Sequence, residues 1–134
     1  MGLDIYAEEM ISHYEHPHNK RKMENPSIEF HENNPLCGDD ITVYCLIEGD
    51  VVKEMAFVGD GCAISIGTAS MLTDFAKGKT LDEIEKMGFG TIKDLIGIDP
   101  GPARVKCATL ALKTLKRCAF LYQHKEIDQA TKEL

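Results

Sequence analysis

The chain has no tryptophan and is short of basic residues, with 15 Lys and Arg against 22 Asp and Glu and a formal charge of −7. Surfaces that grip nucleic acid neutralise phosphates with basic patches, so a nucleic-acid partner is not expected. Long hydrophobic runs are also missing: no stretch approaches the roughly 20 apolar residues of a membrane helix. The start, with Asp4, Glu8 and Glu9, does not resemble a signal peptide. These absences predict a soluble, cytoplasmic protein with no membrane partner. Repeats, low-complexity segments and interdomain linkers are absent too, so residues 1–134 read as a single domain. A chain of this length buries roughly two thirds of its unfolded surface and needs no disulfides to fold. Its five cysteines are an odd number. Without a secretory signal, free thiols or metal ligands are a better reading than a disulfide framework.

Apolar residues at helical spacing, Leu3, Tyr6, Met10, Ile11 and Tyr14, predict an amphipathic packing helix over about 3–15 that ends near Pro17. His13, His16 and His18 resemble a metal cluster on paper. Pro17 separates the last two and breaks the helix that would align them, so coordination there is not expected. The segment from His18 to Pro26, with Lys20, Arg21 and Lys22, reads as a solvated loop. Ile28 and Phe30 alternate with Glu29 and His31 as in a short edge strand. Ile41, Val43, Cys45 and Ile47 alternate with Thr42, Tyr44 and Leu46, and Gly49-Asp50 turns the chain into a second strand over 51–58. The start of one hairpin strand and the end of the other share one sheet edge, which brings Cys37 and Cys62 together. A helix follows over 63–76, capped by Gly78. Thr80 and Thr91 read as N-caps of two short helices that stop at Gly88 and Gly97. A long helix runs from Pro102 to about Tyr122, and the charged tail from Lys125 is expected to fray.

Extended chain advances about 3.3 Å per residue, so Cys45, eight residues beyond Cys37, lies some 26 Å away and cannot share its metal. Cys118 follows Cys107 by eleven residues on one helix, a rise of roughly 16 Å. Cys45 and Cys118 are therefore core residues, the usual place for a free cysteine. Cys37, Cys62 and Cys107 instead sit at element ends beside Gly, Asp or Lys. Cys62 follows Val58-Gly59-Asp60-Gly61 and opens a helix, whose unpaired N–H groups and positive dipole end favour a thiolate. Gly38 lets Asp39 bend toward the same point as Cys37. Three thiolates and a carboxylate suffice for zinc or for an iron–sulfur cluster. An unligated reactive thiol at Cys62 and three unrelated thiols remain the alternatives, the first lacking a histidine base nearby in sequence.

At these residues the chain resembles the U-type iron–sulfur scaffold family, comprising IscU, SufU and the N-terminal domain of NifU. The resemblance is carried by His13-Tyr14-Glu15-His16-Pro17, Cys37-Gly38-Asp39, Gly59-Asp60-Gly61-Cys62-Ala63-Ile64-Ser65 and Pro102-Ala103-Arg104-Val105-Lys106-Cys107-Ala108-Thr109-Leu110. It implies an α+β fold, a three-stranded antiparallel sheet packed by helices in one compact IscU-like domain, with the three cysteines near one end. It implies a scaffold or carrier rather than an enzyme. Such a protein accepts sulfur from an IscS-like cysteine desulfurase, binds iron, holds a labile [2Fe-2S] cluster and passes it to recipient apo-proteins. Cys37, Cys62 and Cys107 would accept persulfide, and the same three with Asp39 would bind iron. An iron donor, a ferredoxin and a homodimer are left open as further partners.

Two departures are informative. Lys106 stands where IscU proteins of the bacterial and mitochondrial type carry histidine, as in SufU-like sequences, so Asp39 is the leading fourth ligand. Lys106 is expected to modulate Cys107 by charge, since a protonated ammonium has no lone pair for a metal. The separation of 45 residues between Cys62 and Cys107 leaves no room for the SufU insertion. The chaperone-binding Leu-Pro-Pro-Val-Lys signature of IscU is only partly echoed. The rival function is a SufU-type zinc-dependent persulfide acceptor using the same four residues, with zinc also a candidate occupant of the cluster-free form. A zinc-stabilised interaction module is the third class.

Overall fold

The computed structural model describes residues 2–35 and 38–134, with side chains from Ile5 onward in the first helix. Cys37 lies outside the described residues. The elements follow in the order α1 (Gly2–Glu15), β1 (Ile28–Asn34), β2 (Asp39–Glu48), β3 (Val51–Asp60), α2 (Ala63–Ala76), α3 (Leu81–Glu85), α4 (Phe89–Ile96), a 3-10 turn (Pro102–Arg104), α5 (Val105–Tyr122) and α6 (Gln129–Lys132). The strands form one antiparallel sheet in the order β1-β2-β3. This is the α+β architecture the resemblance implied, with β1 at an edge as its alternation predicted. No helix among the described residues is long and apolar enough to cross a membrane.

Period-two patterning divides the sheet between two cores. Ile41, Val43, Cys45 and Ile47 of β2, with Val52, Met55 and Phe57 of β3, face α2 and α5 in the main core. Tyr44 and Ala56 point to the other face, where Met23 from the 18–26 loop covers them. Val52 and Met55 are three residues apart and would face opposite sides of a regular strand. The ladder shifts register between Leu46 and Ile47, leaving Lys53 exposed as the extra residue, so both apolar side chains turn inward.

Four local expectations need correction. Helix α1 forms, but among its described side chains only Met10 is buried; Tyr6, Ile11 and Tyr14 are exposed. The reason is close packing over glycines: Met10 lies where any side chain on Gly67 would stand, and the ring of Tyr6, though exposed on its other side, lies where one on Gly97 would stand. Gly78 follows α2 at φ 88°, but the helix stops one residue earlier at extended Lys77, and the Gly78 N–H goes to the Val52 carbonyl. Thr91 does not open α4. The helix starts at Phe89, and Thr91 reaches back from the third position to accept the Gly88 N–H at 3.2 Å. Thr80 does cap α3, with both arms of a capping box. The C-terminal tail is folded rather than frayed. Asp128 accepts the Thr131 N–H at 2.9 Å to start α6, Thr131 is buried, Leu134 packs on the main core, and Lys125 pairs with Glu85 at 3.1 Å.

Candidate metal centre

Three element ends meet beside the sheet edge where β2 begins and β3 ends. Asp40 pairs with Asp60 and Ile41 with Gly59 across the hairpin, which sets Asp39 against the chain leaving β3. That chain passes through Gly59, at φ 149°, where a Cβ would collide with the backbone carbonyl of Asp40. Three residues on, Cys62 is the N-cap of α2, in extended conformation, with its side chain making no cap bond. Most N-cap side chains are spent on the helix's free N–H groups. Here the sulfur stays available.

The Asp39 carboxylate closes the connection. Its Oδ1 accepts the Cys62 N–H at 3.2 Å, and its Oδ2 lies 3.9 Å from Cys62 Sγ. Cys107 arrives from the first turn of α5. The ligand atoms of Asp39, Cys62 and Cys107 all lie within 4.8 Å of one another, the one such group of three or more His, Cys, Asp and Glu among the described residues. Asp39 and Cys107 are buried at 3% and 1% exposure, while Cys62 is half-buried, so the cluster opens to solvent on the Cys62 side. Two soft sulfurs and one hard oxygen at this spacing suit zinc or iron. Gly61 is required for the packing: a Cβ there would stand 3.0 Å from Asp39 Oδ1 and 3.0 Å from Ser65 Oγ.

The cation that faces the sulfurs is Arg104. Interaction with Cys62 first, and then with Cys107, raises its pKa above the ordinary arginine value. Lys106 points elsewhere, its Nζ donating to the Glu133 carbonyl at 2.6 Å. Sequence reasoning weighed Lys106, the neighbour of Cys107, and assigned Arg104 no role. The signal was the helical period: Arg104 stands three residues before Cys107, one turn away, whereas adjacent helical residues diverge. Cys45 and Cys118 lie in the core, as their spacing predicted. Of the three N-terminal histidines, His13 and His18 come together and His16 does not join them.

Residues 5–129 match the model of the NifU-like N-terminal domain. The chain belongs to that family. Among relatives of this NifU-like domain, the zinc-dependent sulfurtransferase SufU of Bacillus subtilis is 36% identical over 130 residues, spanning 84% of this chain and 88% of that protein. The iron–sulfur cluster assembly scaffold protein IscU 1 of Archaeoglobus fulgidus is 31% identical over 121 residues, spanning 90% and 78%. The fold matches the crystal structure of a putative scaffold protein for the SUF system from Fervidobacterium islandicum, at TM-score 0.76 and 27% identity over 89% of this chain and 99% of that one.

Proposed function

We propose that this NifU-like domain is a scaffold for iron–sulfur cluster assembly, with Cys62, Cys107 and Asp39, joined by Cys37, holding the nascent [2Fe-2S] cargo. The observation that carries the reading is the convergence of Asp39, Cys62 and Cys107 within 4.8 Å at a site half open to solvent. Cys37 stands two residues before Asp39 in the chain, close enough in sequence to supply the third thiolate.

The chemistry follows from the residues. A Cys62 thiolate, turned toward solvent at the positive end of α2, attacks the outer sulfur of a desulfurase persulfide. A new S–S bond forms on Cys62, the donor's S–S bond breaks, and the donor leaves as a thiolate. Each transferred sulfur is in the sulfane state and needs two electrons to become sulfide, a demand a ferredoxin meets. Arg104 offers a cation where the thiolate charge sits. Asp39 contributes the hard ligand, the weakest partner for iron beside thiolates and so the bond that opens when cargo is handed to an apo-protein.

A second reading has specific support. The zinc-dependent sulfurtransferase relative and the lysine at position 106 favour a resident zinc ion on the same residues, where it would hold the thiolates deprotonated until sulfur arrives. Anaerobic incubation with ferrous iron, cysteine and a cysteine desulfurase, followed by absorption spectra and metal analysis, separates the two. Charge-transfer bands of a cluster with two irons and two sulfides per site support the scaffold. Stoichiometric zinc with persulfide and no cluster supports the acceptor. Metal without either sulfur product overturns both.

A further inference from the structure

His13 and His18 lie on opposite sides of the Pro17 break, yet their rings meet with centroids 4.5 Å apart and planes tilted by 51°. Just after His18, Asn19 turns the chain in the left-handed region at φ 58°. Both rings spend the same nitrogen on the same helix. His13 Nδ1 pairs with Ser70 Oγ at 2.7 Å, and His18 Nδ1 pairs with Asp74 Oδ2 at 2.6 Å. Ser70 and Asp74 are neighbours one turn apart on α2. Each ring therefore turns its Nδ1 edge toward α2 and its Nε2 edge away. The supporting groups are themselves fixed: the His18 N–H donates to Ser70 Oγ at 2.7 Å, and Asn19 Nδ2 donates to Asp74 Oδ1 at 3.2 Å and to Thr73 Oγ1 at 2.9 Å.

A carboxylate on Nδ1, as Asp74 supplies to His18, is the arrangement that orients metal-binding imidazoles, since a proton held at Nδ1 leaves the lone pair on Nε2; at His13 the Ser70 hydroxyl can take the acceptor's place. The ring spacing agrees. Two imidazoles binding one ion through Nε2 at about 2.0–2.1 Å, with an angle between 90° and tetrahedral, place their centroids about 4.5–5.2 Å apart. A third donor stands nearby: Glu9 is one turn before His13 on α1 and lines the same groove as His13 and Asp74. Burial, and then the proximity of His18, lower the His13 pKa against the opposing pull of Asp74 and Glu9, a shift toward the neutral imidazole. Ser70 and Asp74 lie 8 and 12 residues beyond Cys62 along α2, a rise of about 12 and 18 Å, so the thiolate centre is not involved.

We propose that His13 and His18, with Glu9 swinging in as third ligand and water completing the shell, form a second metal site for a divalent first-row ion such as zinc. The site would fasten α1, which buries only Met10 among its described side chains, to α2.

Titration of the full chain with zinc, followed by calorimetry and by imidazole nitrogen NMR, tests this. Two classes of bound zinc are expected, the second shifting the Nε2 resonances of His13 and His18. His13→Gln or His18→Gln should remove the second class and spare the first, and His16→Gln should leave both. Asp74→Asn alters no ligand, so it serves if the histidine variants undock α1. It should weaken the second class about tenfold or more. A single class of bound zinc, a second class surviving both His13→Gln and His18→Gln, or unchanged affinity in Asp74→Asn would overturn the site.

Discussion

The backbone N–H of Cys62 donates to Asp39 Oδ1 across 3.2 Å, so the hard ligand of the candidate centre has a protein partner of its own. A carboxylate that can fall back on a helix N-terminal N–H loses little on releasing a metal. Asp39→Ala should consequently hold its cluster longer in air and pass it more slowly to an apo-ferredoxin. It should also lower unfolding stability by about 1–3 kcal/mol, because the Cys62 N–H loses its acceptor. Timed transfer at matched loading checks the claim, and equal rates for wild type and variant would sink the lability argument.

Gly61→Ala tests the packing behind the centre without touching a ligand. Its Cβ would press on Asp39 Oδ1 and Ser65 Oγ, each 3.0 Å away, and Asp39 has to shift by a few tenths of an ångström. Metal affinity should fall about tenfold while the thermal midpoint moves little. Gly59→Ala, by contrast, meets the Asp40 backbone and should cost the fold itself. Metal-binding and melting curves of the two variants, side by side, would contradict this if Gly61→Ala melted as early as Gly59→Ala.

Charge reversal at Arg104 should slow persulfide acceptance more than charge reversal at Lys106, because Arg104 faces Cys62 and Cys107 while Lys106 Nζ is engaged by the Glu133 carbonyl. Arg104→Lys should recover only part of the rate, since an ammonium lacks the guanidinium fork. Single-turnover sulfur transfer from a desulfurase measures all three. A larger defect in Lys106→Glu than in Arg104→Glu would restore Lys106 as the modulator.

Cys118 should make the fold sensitive to alkali. A hydrogen bond with Cys45 and burial push its thiol well above the ordinary value of 9.0. The folded state thus keeps a proton that the unfolded chain gives up first. Stability from this group is complete below pH 9.0 and is lost as pH rises from there toward the folded value. Denaturation midpoints of Cys118→Ala between neutral pH and pH 10 should start lower, from the lost packing, but fall less steeply than wild type, with metal binding intact at neutral pH. A parallel fall would show that Cys118 does not carry the alkaline loss, and lost metal binding would refute its assignment as core.

Much of this molecule was legible before folding because the relevant physics is local. Alternation at Ile41, Val43, Cys45 and Ile47 specifies a half-buried strand, Gly49-Asp50 specifies its turn, and together they set Asp39 beside the chain that leads to Cys62. The rise of strands and helices removed Cys45 and Cys118 from the centre by distance alone. Other features depend on partners far away in the chain. Which side of α1 is buried follows from Met10 meeting Gly67, and His13 reaches His18 because both are held by α2 some 50 residues on. Lys106 is drawn to Glu133 in a tail whose order comes from the Asp128 cap and the packing of Leu134, and this leaves Arg104 over the thiols. Backbone periodicity is written residue by residue. Where a long side chain ends is decided by the nearest acceptor in space, and only the tertiary structure supplies that neighbour.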